Sequence, residues 1–266
     1  MILQNMTPEE KMKQALKLRE SVPEIAIAWA QRNERTMHRT KTFPQFYTFD
    51  RDVPGMGKWT MVVTAECKSS IRKGIFAISA YQTFHVPYAK DKKNIGTGIY
   101  LFEGNDNGDT LLYEFSPHYF LRFRQRFVEP KGITQPSFPS LVKMMLKEHF
   151  QGMDRTTKGF KAIREDDGKV HIVPTDEYDR YSGYDNLISF TPNGLSLGMS
   201  SCGRKYYCYT TFVGNDDLYE DQLREQQEMM KERQRIGFLQ RNDPFKVDAV
   251  RSKWITEDGK VLSEWK

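Results

Sequence analysis

The chain has 266 residues, with 38% hydrophobic and 13% aromatic residues and a formal net charge of +5 at pH 7. This much apolar material can form a sizeable core, which excludes a wholly disordered chain. The mildly basic balance permits an anionic partner such as RNA, DNA or a phosphorylated small molecule, without requiring one. No apolar run approaches the length of a membrane span, and the N-terminal stretch lacks a signal-like apolar region, so we expect no membrane partner.

The cysteines and glycines offer no sign of a metal or cofactor site. The three cysteines, Cys67, Cys202 and Cys208, fit reduced thiols better than a disulfide framework, which favours a cytoplasmic location. Cys202 and Cys208 have no matching Cys or His pair elsewhere, so we expect no bound metal. The motifs "GMG" and "GTG" lack the strand–glycine–helix context of a nucleotide site, and we expect no cofactor.

Residues 1–40 are predicted to form a helical N-terminal unit. Thr7 can cap a first helix, Pro8 suits its first position, and Glu10 lies three residues after the cap. A second helix is expected from Ser21 through "VPEIAIAWAQRNER", whose apolar run indicates burial on more than one side.

Residues 41–236 are predicted to form an α+β body that begins with an antiparallel β block. "FPQFYTFDRDVPGMG", rich in Gly and Pro, is predicted to be a loop. "KWTMVVTAEC", "KGIFAISAYQTFHVPY", "GTGIYLFEG" and "TLLYEF" are predicted strands, with "NDNGDT" as the turn before the last of them. Four successive strands joined by short turns favour an antiparallel sheet.

Two central helices, a second antiparallel β block and a C-terminal helix are predicted to follow. The helices are expected from Ser116 and over "SLVKMMLKEHF". The strands are expected over "GFKAIRE", "KVHIVPT", "NLISFTP", "GLSLGMSS" and "YYCYTTFV". The polar helix "LYEDQLREQQEMMKERQR" precedes a C-terminal tail at residues 237–266. Because strands come in blocks rather than alternating with helices, the pattern predicts an α+β fold.

The helix that begins in "SPHYFLRFRQRFV" carries the strongest functional signal. Ser116 can cap it and Pro117 suits its first turn. His118, Arg122 and Arg126 recur every four residues, so one helical stripe should hold all three. The aromatic residues on the other side are expected to pack inward. Three arginines without an acid in residues 116–128 indicate a carboxylate or phosphate partner, with Arg124 adding a binding contact.

This arrangement suits phosphodiester cleavage without a metal. The unperturbed pKa of histidine lies near neutrality, so His118 could carry a proton to or from the reacting oxygens. Arg122 and Arg126 would stabilise the charge that develops on phosphorus. A second group is then needed across the cleft, and the candidates are Thr210, Thr211, Tyr207, Tyr209 and His171. The alternative is a capped basic helix on an aromatic core, with its arginines in solvent or paired with nearby acids.

The segment "SPHYFLRFRQRF", followed by a loop, a helix and strands ending in "YYCYTTFV", resembles the barnase–EndoU–colicin–RelE-like metal-independent ribonucleases. Members of this class are common in toxins and phage-associated proteins. The resemblance covers residues 113–230 and implies that His118 and Arg122 are catalytic, with Arg126 assisting. It also implies that Thr211 supplies a hydroxyl contact. The N-terminal helices and the first β block have no counterpart in compact members of the class.

Three functions therefore stand as hypotheses. The first is a metal-independent endoribonuclease, which a cleft joining His118 to Thr211 or Tyr209 would favour. The second is a non-catalytic protein of phage or mobile-element type that binds nucleic acid or another anion through an open basic face. The third is a partner-binding structural protein, which pairing of Arg122 and Arg126 with internal carboxylates would favour.

Overall fold

The computed structural model describes residues 2–87, 95–104, 109–157, 160–164, 166, 170–174 and 185–242. Helices, strands, two central helices, further strands and a C-terminal helix follow in the predicted order, which confirms the α+β fold. The helices are α1 (Pro8–Leu16), α2 (Leu18–Met37), α3 (Lys68–Lys73), α4 (Pro117–Phe123), α5 (Phe138–Gln151) and α6 (Glu220–Asn242). The strands are β1 (Gln45–Val53), β2 (Gly57–Ala65), β3 (Ala77–Pro87), β4 (Ile95–Gly104), β5 (Thr110–Phe115), β6 (Met153–Thr157), β7 (Phe160–Arg164), β8 (Val170–Pro174), β9 (Asp185–Thr191), β10 (Gly194–Ser201) and β11 (Tyr206–Gly214).

The two predicted β blocks form one sheet. Its nine strands follow the order β1-β2-β3-β4-β5-β11-β10-β9-β6. All neighbours are antiparallel except β5 and β11, which pair in parallel from Leu112 opposite Tyr206 to Phe115 opposite Tyr209. The strands expected at "GFKAIRE" and "KVHIVPT" form a separate hairpin of β7 and β8 instead of joining the second block.

The sheet curves around the central helices. The aromatic side chains of α4 and the apolar side chains of α5 share one core cluster with residues of strands as far apart as β2 and β9. Phe150 at the end of α5 makes an edge contact with Phe46 of β1 at 5.9 Å, while a Cβ at Gly152 would lie 3.1 Å from the carbonyl of Phe190 on β9. Strands from opposite sides of the sheet therefore contact the same end of α5. The sheet must curve to allow this, so α4 and α5 lie on its concave face.

The remaining long helices cover the convex face. The first helix and the start of α2 pack on residues of β2 to β5 and on Tyr206 of β11. Helix α6 packs through Leu223, Met229 and Met230 on Leu195 and Val213 of the last strands. Helix α4 is thus separated by the sheet from α1, α2 and α6.

Some local predictions were wrong, and long-range pairing explains them. The predicted loop at "FPQFYTFDRDVPGMG" contains β1, because "QFYTFDRDV" pairs along its full length with β2. The short helix α3 and the strand β6 were not predicted. Helix α6 runs past the predicted boundary at residue 237 to Asn242. The tail from residue 243 and positions 105–108 of the turn at "NDNGDT" lie outside the described residues. In the described ranges, no helix combines the length and apolarity needed to cross a membrane.

Candidate functional site

Helix α4 begins as predicted and is anchored to β11. The Ser116 hydroxyl accepts a hydrogen bond from the backbone N–H of Tyr119 at 3.1 Å, and Pro117 occupies the first turn. The backbone N–H of Ser116 donates to the carbonyl of Tyr209, and its hydroxyl donates to the carbonyl of Thr210. These bonds fix the helix start against the sheet, so the position of His118 is determined by β11.

The predicted stripe of three basic residues is broken after Arg122. The α-helix ends at Phe123, and residues Arg124–Val128 form a π-helical turn. A π-turn has i→i+5 hydrogen bonds and a wider ring, so the side chains after it no longer follow the 3.6-residue period. Arg126 is directed at β11 and the turn that follows, while His118 and Arg122 remain one above the other on α4.

His118 is exposed and the neighbouring Arg122 is partly buried. The Nε atom of Arg122 donates to Nε2 of His118 at 3.5 Å, and its Nη1 donates to Oε1 of Gln125 at 3.1 Å. Partial burial, followed by the positive charges of Arg122 and Arg126, lowers the pKa of His118. A neutral imidazole with a free Nε2 lone pair is the form that can accept the Arg122 hydrogen bond.

The other two arginines of the segment are paired with acids. Arg124 forms an ion pair with Glu129 at 3.2 Å, between side chains that are about half exposed. Arg126 pairs with Asp217 at 3.0 Å and also donates to the carbonyl of Phe212 at 2.7 Å. Arg126 therefore holds the π-turn to β11, instead of standing free for a phosphate. Arg122 pairs with none of the carboxylates in the described ranges.

The structure does not bring the predicted hydroxyl groups to His118. Phe212 packs against the aromatic residues of α4, so its neighbour Thr211 points to the opposite, convex face. Tyr209 lies on the concave face but is fully buried, and its hydroxyl donates to Asp154 at 2.8 Å. Burial raises the pKa of Tyr209 far above its usual range. Neither group forms a cleft with the exposed His118.

Two further candidates, Tyr207 and His171, lie on strands β11 and β8. Tyr207 is half-buried and stacks on Tyr113 at 5.0 Å, two residues before Tyr209, whose carbonyl anchors Ser116. Burial raises the pKa of Tyr207 to about 12. His171 lies on β8 opposite Ile163, in the hairpin outside the nine-stranded sheet. Among the predicted catalytic residues whose side chains the structure describes, His118 and Arg122 are the two in hydrogen-bond contact.

The positive charge of the protein is concentrated in the central helical segment. The spacing of motifs alone does not show this feature. We call residues 116–151, which comprise α4, the π-turn and α5, the basic layer. It carries six Lys or Arg residues and two Glu, although the whole chain has a net charge of only +5. By contrast, residues 8–37 on the convex face have six basic and five acidic residues, and α6 has five of each. A count of charge per helical segment would have found this difference.

Lysines supply much of the exposed charge of the basic layer. Lys143 and Lys147 lie one turn apart on the exposed side of α5, and neither pairs with a carboxylate in the described part of the chain. Helix α5 adjoins α4 through the edge contact of Phe120 with Phe138 at 5.0 Å. The ammonium of Lys131 lies 3.6 Å from the centre of the Phe127 ring. One of the two acids, Glu148, is buried and bonded to Asn193, so it exposes little negative charge.

The groups of this site have the chemistry of an anion ligand set rather than of a metal site. Arginine and lysine donors are cationic and cannot ligate a cation, and the described residues contain no group of three or more potential metal ligands. Comparison with family models, with curated proteins and with solved structures finds no match to the chain. The geometry and charge of the chain itself are therefore the basis for a functional proposal.

Proposed function

We propose that the chain binds a nucleic acid or a similar polyanion through the basic layer and does not cleave it. The observation that carries this proposal is the concentration of positive charge on one helical layer, while the helices of the opposite face are nearly neutral. Lys and Arg that neutralise phosphates release counterions, which drives association with nucleic acids. The proposal includes a cytoplasmic location, which three free thiols support.

Three side chains are the main phosphate contacts in this proposal. Arg122, Lys143 and Lys147 have no carboxylate partner in the described ranges, so binding a phosphate would break no internal ion pair. Arg124 is exposed and retains donors beyond its bond to Glu129, so it can add a contact at the rim. Because these groups contact backbone phosphate rather than bases, we expect little sequence preference.

A metal-independent ribonuclease is the second candidate, and one observation favours it. Arg122 contacts His118, and the pKa of His118 is lowered, which leaves an imidazole free to accept a proton at neutral pH. However, within the described residues His118 is hydrogen-bonded to Arg122 and to no second proton-transfer group. The binding function needs no such group, so we rank it first.

One experiment separates these functions. Labelled single-stranded RNA is incubated in EDTA with the wild type and with His118→Ala, and both retention on a filter and strand cleavage are followed. The binding function predicts retention by both proteins that weakens steeply between about 50 and 200 mM salt, without cleavage. Cleavage by the wild type that His118→Ala abolishes would support the ribonuclease. Absence of salt-sensitive retention would contradict the binding function.

A further inference from the structure

The guanidinium of Arg122 is positioned by two neighbours on its own helical segment. Its Nε atom lies 3.5 Å from Nε2 of His118, and its Nη1 atom donates to Oε1 of Gln125 at 3.1 Å. Neither neighbour supplies a negative charge, and none of the ion pairs within the described ranges includes Arg122. The charge of Arg122 is therefore oriented but not neutralised.

The charges that act on His118 are both positive. One is Arg122 on α4 itself, and the other is Arg126 from the π-turn. Arg126 is paired with Asp217, which partly offsets its charge. Helix α4 packs on β4, β11 and α5, and within the described ranges none of these elements adds a carboxylate that shifts the pKa of His118. An anion that approaches His118 therefore meets cations without a competing carboxylate.

Protonation of His118 is unfavourable in this arrangement when no anion is bound. An imidazolium donates from both ring nitrogens, so it would lose the hydrogen bond from Arg122 and leave two positive charges beside each other. Partial burial and the charges of Arg122 and Arg126 lower the pKa of His118 accordingly. The neutral form of His118 therefore predominates at neutral pH in the free protein.

A phosphate bound between the two side chains reverses this balance. One non-bridging oxygen can accept a hydrogen bond from Arg122, and the other can accept one from the Nε2–H of a protonated His118. Hydrogen bonds between ionised groups are stronger than those between neutral groups. The negative charge also offsets the repulsion between the two cations. His118 is exposed on the same side of α4, so one phosphate can contact both residues.

We propose that binding of an RNA phosphate at Arg122 is coupled to protonation of His118, so that the basic layer binds nucleic acid more tightly as the pH falls. This inference rests on the proposed binding function and specifies how that site is regulated. The proton comes from solvent and adds to the Nε2 lone pair. Because coupling is reciprocal, a phosphate that favours the imidazolium is itself bound more tightly by the imidazolium form.

The test measures retention of an oligouridylate on a filter at two pH values and constant ionic strength. Terminal phosphates titrate with a pKa of about 6, so a probe with hydroxyl groups at both ends keeps a constant charge. We expect the wild type to bind about ten-fold more tightly at about pH 5.5 than at about pH 7.5.

Two variants assign this pH dependence to His118. His118→Gln keeps an acceptor for Arg122 but does not titrate, so we expect its affinity to change by less than about two-fold over the same interval. His38→Gln is the matched control, because His38 lies at the end of α2 on the opposite face and contacts Glu34. It should keep the pH dependence of the wild type.

The outcomes separate this inference from the binding function. Salt-sensitive retention that is equal at the two pH values would overturn the coupling and leave binding by the basic layer intact. The same holds for a pH dependence that His118→Gln shares with the wild type. Absence of retention at both pH values would overturn the binding function and the coupling together.

A second measurement detects the coupling from the protein side. Linkage requires that a ligand bound more tightly by the imidazolium form also raises the pKa of that imidazole. An NMR titration of the His118 ring should therefore give a higher pKa with saturating oligouridylate than without it. An unchanged pKa of His118 in the complex would contradict the proposal.

Discussion

Arg122 contacts a histidine, whereas Arg124 and Arg126 contact carboxylates. Its guanidinium donates to His118 and Gln125, and its charge helps to lower the pKa of the imidazole. A neutral His118 leaves Arg122 as the main cation of this part of the surface. At the scale of single residues, His118 and Arg122 therefore form a pair in which the imidazole favours its neutral form and the guanidinium carries the positive charge.

Replacing Arg122 with glutamine should raise the pKa of His118. A positive charge beside an imidazole disfavours the imidazolium form, so removing that charge favours protonation. The measurement is an NMR titration of the His118 ring protons in the wild type and in Arg122→Gln. Arg124→Gln is the matched control, since Arg124 pairs with Glu129 and is not a cause of the shift. An unchanged His118 titration in Arg122→Gln would show that the contact is absent in solution.

The repeat of basic residues correctly placed His118 and Arg122 side by side, but it did not predict that Arg126 pairs with Asp217. Helical spacing is local, so it correctly predicted the Ser116 cap and the pairing of His118 with Arg122. The π-turn that redirects Arg126 depends on its packing against Phe212 and Asp217, which lie more than eighty residues away. No local pattern encodes that contact. Sequence could not predict that Thr211 and Tyr209 lie apart from His118, because their positions depend on the sheet.

At the scale of elements, the join between β5 and β11 determines where α4 lies. These strands are separated by about ninety residues, and their parallel pairing unites two blocks that local sequence predicted as separate. Turn signals and alternation predicted most individual strands, because those patterns are local. They could not predict the pairing of β1, the separate hairpin of β7 and β8, or the curvature around α5.

The close approach of the π-turn to β11 depends on a glycine. A Cβ at Gly214 would lie 2.8 Å from the backbone carbonyl oxygen of Arg126. Relief of this close contact would require a shift of the backbone, not just of a flexible side chain. We expect Gly214→Ala to lower the free energy of unfolding by about 1–3 kcal/mol. Urea unfolding followed by circular dichroism measures this change.

Gly104→Ala is the control for this substitution. A Cβ at Gly104, at the end of β4, would meet no heavy atom within 4 Å in the described part of the chain. We expect its effect on the free energy of unfolding to stay within about 0.5 kcal/mol of the wild type. Equal losses in the two variants would mean that the contact of Gly214 with Arg126 has no special role.

At the scale of the whole molecule, the sheet separates two helical layers of different charge. The convex face carries α1, α2 and α6 with nearly balanced charges, and the concave face carries the basic layer. Total net charge alone indicated only a mildly basic protein. The sequence contained the segmental difference, but the sheet topology was needed to show that the balanced helices lie together on the opposite face.

The most direct test is the affinity for labelled single-stranded RNA of two double variants with the same change in net charge. Lys143→Glu/Lys147→Glu reverses exposed charges in the basic layer, whereas Lys13→Glu/Arg19→Glu reverses exposed charges on the convex face. We predict that the first variant binds at least about ten-fold more weakly near 0.1 M salt, with a smaller salt dependence. The second should stay within about two-fold of the wild type. Equal losses in both variants, or none in the first, would contradict nucleic-acid binding by the basic layer.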